Sequence, residues 1–155
     1  MGRAFAQAYC WPHPLLSSIV CKGGPVPRLE ASTMKLRIKG DSLRLRVAPS
    51  EVQQLITAGR VVDTIHFAPG VHLSYALQHS AAAGSIAVSH ALHEVTVILP
   101  TSVAQAWANG EDVGIYGAVP NGSGFLSLAI EKDFACLDAT HAGNRDTYPN
   151  PKAAC

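Results

Sequence analysis

Pro49-Ser50-Glu51-Val52-Gln53-Gln54-Leu55-Ile56-Thr57-Ala58-Gly59 returns without a gap, 51 positions later, as Pro100-Thr101-Ser102-Val103-Ala104-Gln105-Ala106-Trp107-Ala108-Asn109-Gly110. Just beyond each copy, Leu73-Ser74-Tyr75-Ala76-Leu77 is echoed by Leu126-Ser127-Leu128-Ala129-Ile130. Self-similarity of this kind is a statement about architecture: one supersecondary unit occurs twice. In the first copy Pro49 suits a first helical turn, where its missing N–H costs nothing, and Ser50 or the residue before Pro49 suits the cap. Val52, Leu55 and Ile56 recur at helical spacing, and Gly59 suits the stop. In the second copy Val103, Ala106 and Trp107 take the inward role, and Asn109-Gly110 ends the helix.

Outward from the helices the period changes to two. Lys35-Leu36-Arg37-Ile38-Lys39 alternates, Gly40-Asp41 reads as a turn, and Leu43-Arg44-Leu45-Arg46-Val47 alternates again. Leu36, Ile38, Leu43, Leu45 and Val47 are expected to face a core, with the cations on the other side. Further strands are expected at 61–67, 73–78, 86–89, 95–99, 113–119 and 125–133. Pro69-Gly70 and Asn121-Gly122-Ser123-Gly124 are read as turns in matching places. The expected fold class is α+β: a duplicated strand–helix–strand–strand unit forming a curled antiparallel or mixed sheet, barrel-like or sandwich-like, with two short helices.

Composition narrows the function classes without selecting one. The 155 residues suit one domain. A hydrophobic share of 48% with only 15% charged residues suits a core that needs no staple. A formal net charge of +1 points to neither nucleic acid nor a membrane surface. Cys10, Cys21, Cys136 and Cys155 contain no Cys-x-x-Cys pair, so neither a zinc knuckle nor a redox pair is expected, and a reducing cytoplasm is the expected location. No apolar run reaches the ~18 residues of a membrane span. Residues 1–33 are interrupted by Pro12-His13-Pro14 and close on Gly23-Gly24-Pro25-Val26-Pro27, a linker composition. They are read as a disordered upstream extension, with Met34 as the working start. The single domain is expected over 34–137, with repeat halves at about 43–80 and 94–133, and a polar extended tail over 138–155.

The two ends of this body carry a resemblance. Met34-Lys35-Leu36-Arg37-Ile38-Lys39-Gly40-Asp41-Ser42-Leu43-Arg44-Leu45-Arg46 at the start, then Glu131-Lys132-Asp133-Phe134-Ala135-Cys136-Leu137-Asp138 and Tyr148-Pro149-Asn150-Pro151 at the close, resemble a family of small uncharacterised bacterial proteins. The resemblance runs from about Met34 to Pro151. Such proteins tend to carry an acidic run before the Tyr-Pro-Asn-Pro segment, where this chain has His141-Ala142-Gly143-Asn144-Arg145-Asp146-Thr147. The resemblance implies no reaction.

The strongest candidate for chemistry is the basic hairpin. Five of the chain's 12 Lys and Arg residues, namely Lys35, Arg37, Lys39, Arg44 and Arg46, fall on one face of it. Such a face suits a phosphate or carboxylate, which the planar Arg fork can chelate. It equally suits a solvated edge that discourages aggregation. Glu131 and Asp133 alternate onto one face of the last strand and are expected as ion-pair partners of Arg44 and Arg46. Glu131-Lys132-Asp133 is read as a surface salt-bridge network rather than a catalytic or metal site. Cys136, with His141 five residues on, is read as inert packing, since no positioned base is apparent. His66, His72, His79, His90 and His93 are read as scattered surface residues, and His90-x-x-His93 falls on strand and turn. No catalytic residue, metal or cofactor is expected.

The expected function is a small cytoplasmic, non-enzymatic binding module whose basic face takes an anionic ligand or an acidic partner segment. An enzyme acting on a phosphorylated or carboxylated small molecule, with Glu131 or Asp133 as base, is the alternative, and a self-assembling structural protein is a third. Nucleic acid is disfavoured, because no aromatic residue is interleaved with the basic strand residues.

Overall fold

The computed structural model describes residues 34–135 and 146–152. The readings made for residues 1–33, Cys136, His141 and Cys155 lie outside the described residues. Ten elements follow in order: β1 (Lys35–Ile38), β2 (Ser42–Val47), α1 (Pro49–Ala58), β3 (Arg60–Ala68), β4 (Val71–Ser80), β5 (Ala87–Ala91), β6 (Glu94–Pro100), α2 (Thr101–Asn109), β7 (Gly114–Pro120) and β8 (Phe125–Lys132). The strands form two four-stranded sheets, β1-β2-β8-β7 and β3-β4-β6-β5. Each is mixed, with a parallel central pair flanked by antiparallel hairpin partners. The fold is α+β with two short helices, and neither sheet closes into a barrel.

The two sheets are built alike and interlock. β1, β2, β3 and β4 take the places that β5, β6, β7 and β8 take in the other sheet. Each sheet therefore holds the leading hairpin of one half and the trailing hairpin of the other. The match extends to register: Leu45 lies opposite Ile130 and Val47 opposite Lys132 in the first sheet, as Val97 lies opposite Leu77 and Leu99 opposite His79 in the second.

One core lies between the sheets. Leu43, Leu45, Val47, Leu128 and Ile130 from one inner face join Val61, Tyr75, Leu77, Val97 and Leu99 from the other in a single buried cluster. Alternation on the pleated strands puts every second side chain there. The helices touch each other, α1 packing on β3 and β4 and α2 on β4 and β6. They add Val52, Leu55, Ala104 and Trp107 to the cluster.

The inward faces of the helices correct the gapless alignment. Val52 and Leu55 are buried, with Ile56 partly so, but Val103 is 37% exposed and Ala106 is exposed, while Ala104 and Trp107 are buried. Pro49 lies inside α1, whereas Pro100 is the cap of α2, which is one residue shorter at 9 residues against 10. The buried helical positions thus correspond at an offset of 52, from Val52 to Ala104 and from Leu55 to Trp107. The terminal glycines still match at 51. Ile38 is a second correction. It is 59% exposed, because β1 is a four-residue edge strand that ends there and turns through Gly40 at φ +52°.

The described part of the tail lies on the body. Phe134 and Tyr148 form a parallel bridge, and Ala135 N–H donates to the Tyr148 carbonyl at 2.9 Å. Tyr148 N–H donates to the Asp133 carbonyl at 2.8 Å. Asn150 Nδ2 donates to the Ala135 carbonyl at 2.8 Å, and Ser50 Oγ at the start of α1 bonds Asp146 Oδ2.

Candidate anion-binding face

The outer face of the first sheet is read most simply as rows across its strands. Lys35, Arg46, Glu131 and Gly114 lie side by side in one row, and Arg37, Arg44, Ala129 and Tyr116 in the next. The predicted cations on β1 and β2 are thus brought together by antiparallel pairing, Lys35 with Arg46 and Arg37 with Arg44. Lys35, Leu36, Arg37, Arg44 and Arg46 line a shallow depression of about 110 Å³. Lys39 stands apart, in the turn that closes on Ser42 through paired backbone hydrogen bonds of 3.0 and 3.1 Å.

Two carboxylates border this face, but only one does so as expected. Glu131 lies between the two arginines, with its Oε1 3.6 Å from Arg44 Nε and its Oε2 3.6 Å from Arg46 Nε. These are ion pairs beyond hydrogen-bond length, so both planar forks keep their donors. Among the described residues, no side-chain hydrogen bond is made by Arg37, Arg44 or Arg46. Asp133 does not join them. Its Oδ2 accepts from Lys35 Nζ at 2.6 Å, tying β1 to the start of the C-terminal arm.

Lys132 overturns the surface-network reading of Glu131-Lys132-Asp133. Strand alternation turns it inward, and it is only 6% exposed. Its Nζ donates to the Gly110 carbonyl at 2.6 Å, just past the last turn of α2, where a cation also meets the negative end of the helix. Trp107 and Tyr148 cover it, with ring centres 5.9 and 5.4 Å from Nζ. The Tyr-Pro-Asn-Pro segment therefore closes a lid over a buried lysine.

Tyr116 is the member of the outer face that strand-by-strand reading missed. It sits on β7, far in sequence from the cations, and is 62% exposed beside Ala129 on the Arg44 row. Its hydroxyl approaches Glu131 Oε1 at 3.4 Å. Burial first, then the Glu131 carboxylate, raises its phenol above the ordinary value. Gly114 makes room: a Cβ there would stand 2.7 Å from the Ile130 carbonyl oxygen and 3.1 Å from the Tyr116 hydroxyl. The signal available beforehand was the even spacing of Gly114 and Tyr116 on a predicted strand, but only pairing shows which strand they join.

A second polar cluster lies under the fold. Tyr75 hydroxyl donates to the Met34 carbonyl at 2.6 Å and contacts Asp63 Oδ2 at 3.1 Å. Burial and the neighbouring Asp63 raise the Tyr75 phenol. Glu51 is 6% exposed and accepts from Ala48 N–H at 2.9 Å, as a third-position glutamate does at a helix start. Desolvation pushes its carboxyl up to about 7, aided by Asp63 and Asp146 and opposed by backbone N–H groups of Ala48 and Met34.

The histidines are not all scattered. His66, His72 and His93 form a chain of ring contacts. His79 is half-buried, with Nδ1 3.0 Å from Thr101 Oγ1. His90 lies on β5. As the side chains stand, no three His, Cys, Asp or Glu among the described residues are arranged to hold a metal ion. No described helix is long and apolar enough to cross a membrane.

Comparison with curated proteins and with solved structures finds no match. A family model described as a family of unknown function (DUF7009) matches residues 34–152, which takes in both sheets, both helices and the Tyr148 arm. On that match, which spans well over half of its length, the chain belongs to this family of unknown function.

Proposed function

We propose that the protein is a non-enzymatic binding module whose first sheet offers its outer face to an anionic ligand, a phosphate or carboxylate group carried by a small molecule or an acidic segment. The observation that carries this reading is the convergence of Lys35, Arg37, Arg44 and Arg46 on one depression. Among the described residues, three of these four cations pair with two carboxylates, Glu131 and Asp133. An anion would complete the charge balance, and arginine forks suit bidentate contacts with it. The enzyme reading draws less support: Glu131 is shared by two arginines and Asp133 is held by Lys35, so neither is free to act as a base. The cysteine pattern supports a cytoplasmic location, and the matching sheets support descent by internal duplication.

Thermal shift of the full chain at low salt, with phosphate, small carboxylates and nucleotides, tests the proposal. Arg44→Ala/Arg46→Ala runs alongside. A ligand at about 100 times its dissociation constant should raise Tm by on the order of 10 °C. The reading stands if the double variant folds and loses that shift. A panel with no response, or a response the double variant keeps, sinks the basic face as a small-anion site.

A further inference from the structure

Taking the outer face of the first sheet as an anion site, on which this reading rests, we infer that its ligand is a nucleoside monophosphate. The phosphate would sit at the depression on β1 and β2, lined by Lys35, Arg37, Arg44 and Arg46. The base would stack on Tyr116, which lies on the Arg44 row two strands away, across Ala129. Neighbouring strands are about 4.8 Å apart, so the row sets the two backbones on the order of 10 Å apart. A nucleotide covers that span from phosphate to base once the arginine side chain reaches toward it. The Tyr116 ring lies down on the sheet: its hydroxyl would stand 3.1 Å from a Cβ on Gly114, two residues back along β7. The phenol thus extends over a position that has no side chain, and at 62% exposure it turns a ring face to solvent. An open aromatic face beside clustered cations is what stacks a base. Between ring and cations the floor is low, because Ala129 is small and the Glu131 side chain is only 14% exposed. Glu131 Oε1 lies 3.6 Å from Arg44 Nε and 3.4 Å from the Tyr116 hydroxyl, so ring and guanidinium border the same carboxylate.

The second sheet shows that the architecture does not require this set. Its corresponding rows are Ala87-Ile98-Gln78-Arg60 and Ser89-Thr96-Ala76-Val62. None of the four places equivalent to the cations holds one. Val62 stands in the place of Tyr116, and Arg60 in that of Gly114. Arg60 lies across its face, donating to Gln78 Oε1 at 2.9 Å and pairing with Glu94 at 2.6 Å. The first sheet therefore departs from its counterpart in every part of the site together: the cations, the cleared glycine and the flat ring. Its cations gather at one depression, and the net charge of the chain is only +1. Both facts favour a single phosphate over a polynucleotide, whose backbone wants a basic track.

The test is isothermal titration of the full chain at low salt with AMP, ribose 5-phosphate, adenosine and a series of short single-stranded RNAs. AMP should bind roughly tenfold tighter than ribose 5-phosphate, the gain from one base–aromatic stack. Adenosine, without the phosphate, should bind roughly tenfold or more weakly than AMP. Tyr116→Ala should abolish the advantage of AMP and leave ribose 5-phosphate binding unchanged, and Tyr116→Trp should keep the advantage. Arg44→Ala/Arg46→Ala should lose both phosphates. Tyr116 is exposed, so its variants report on binding rather than folding, which circular dichroism checks. Equal binding of AMP and ribose 5-phosphate, or an advantage that Tyr116→Ala retains, overturns the nucleotide and leaves the anion site standing. Adenosine binding as tightly as AMP overturns it too. Absence of binding by either phosphate sinks the anion site itself. RNA affinity that climbs with length well past that of AMP overturns the mononucleotide in favour of nucleic acid.

Discussion

Glu51 shows what one buried carboxyl does to a small fold. Its pKa of about 7 lies above the ordinary carboxyl value of 4.5, mainly because burial disfavours the charged form. The folded state therefore keeps a proton that the unfolded state releases. The associated stability is fully present below pH 4.5 and is lost as pH rises through about 7. Glu51→Gln keeps an acceptor for Ala48 N–H and removes the titration. It should match wild type at pH 4.5 and exceed it at pH 8 by on the order of 1–3 kcal/mol in urea melts. A variant less stable than wild type at pH 8 would mean that a cation holds the carboxylate ionised. Lys132 makes the opposite case, a buried charge whose head is satisfied. Lys132→Ala leaves the Gly110 carbonyl without its donor and a gap beneath Trp107 and Tyr148, and should cost ~2–4 kcal/mol by chemical denaturation. A loss below 0.5 kcal/mol would show that water replaces the ammonium freely. From sequence, Lys132 between two acids looked like surface. A single position cannot announce that a strand ends beneath a helix and an arm.

At the scale of elements, the two helices share a plan and differ in their ends. Gly59 ends α1 at φ +80°, and its N–H donates to the Leu55 carbonyl at 2.9 Å, the left-handed stop that glycine adopts at low cost. Gly110 ends α2 in an extended conformation, at φ −96°. Gly59→Ala should therefore cost ~1–2 kcal/mol through backbone conformation alone, as read by thermal melts. No space conflict adds to it, the nearest atom to an added Cβ being His79 Nε2 at 4.0 Å. The C-terminal arm is an element too, although it has no regular structure. Tyr148→Ala removes a ring tilted against Phe134 at 5.9 Å and lying 5.4 Å from Lys132 Nζ, and should cost ~2–4 kcal/mol. Equal stability of wild type and variant would mean that the arm rests on the body without holding it.

Across the whole molecule the halves are interdependent. The parallel pairs β2–β8 and β4–β6 both join one half to the other. Each half alone would leave two hairpins with exposed inner faces and unpaired edges, which are marginal in water. Fragments 34–84 and 85–155 should each be largely unfolded by circular dichroism and should regain strand signal when mixed. Independent folding of either fragment would contradict the interlocked pairing. What the sequence determined by itself was local. Period-two runs, helical spacing and turn residues depend on near neighbours, so all ten elements and the cationic face of β1 and β2 were legible, and the repeat announced two similar units. What only the tertiary structure decided was which strands pair. Parallel pairing across the halves depends on contacts far apart in the chain, and no local pattern encodes them. Pairing set Tyr116 on the same row as Arg44, put Glu131 between two arginines, buried Lys132 under Tyr148 and brought His66, His72 and His93 near one another. It also moved the inward positions of α2 by one residue from the apparent repeat, because a helix turns to bury its largest apolar surface, here Trp107, whatever the alignment suggests.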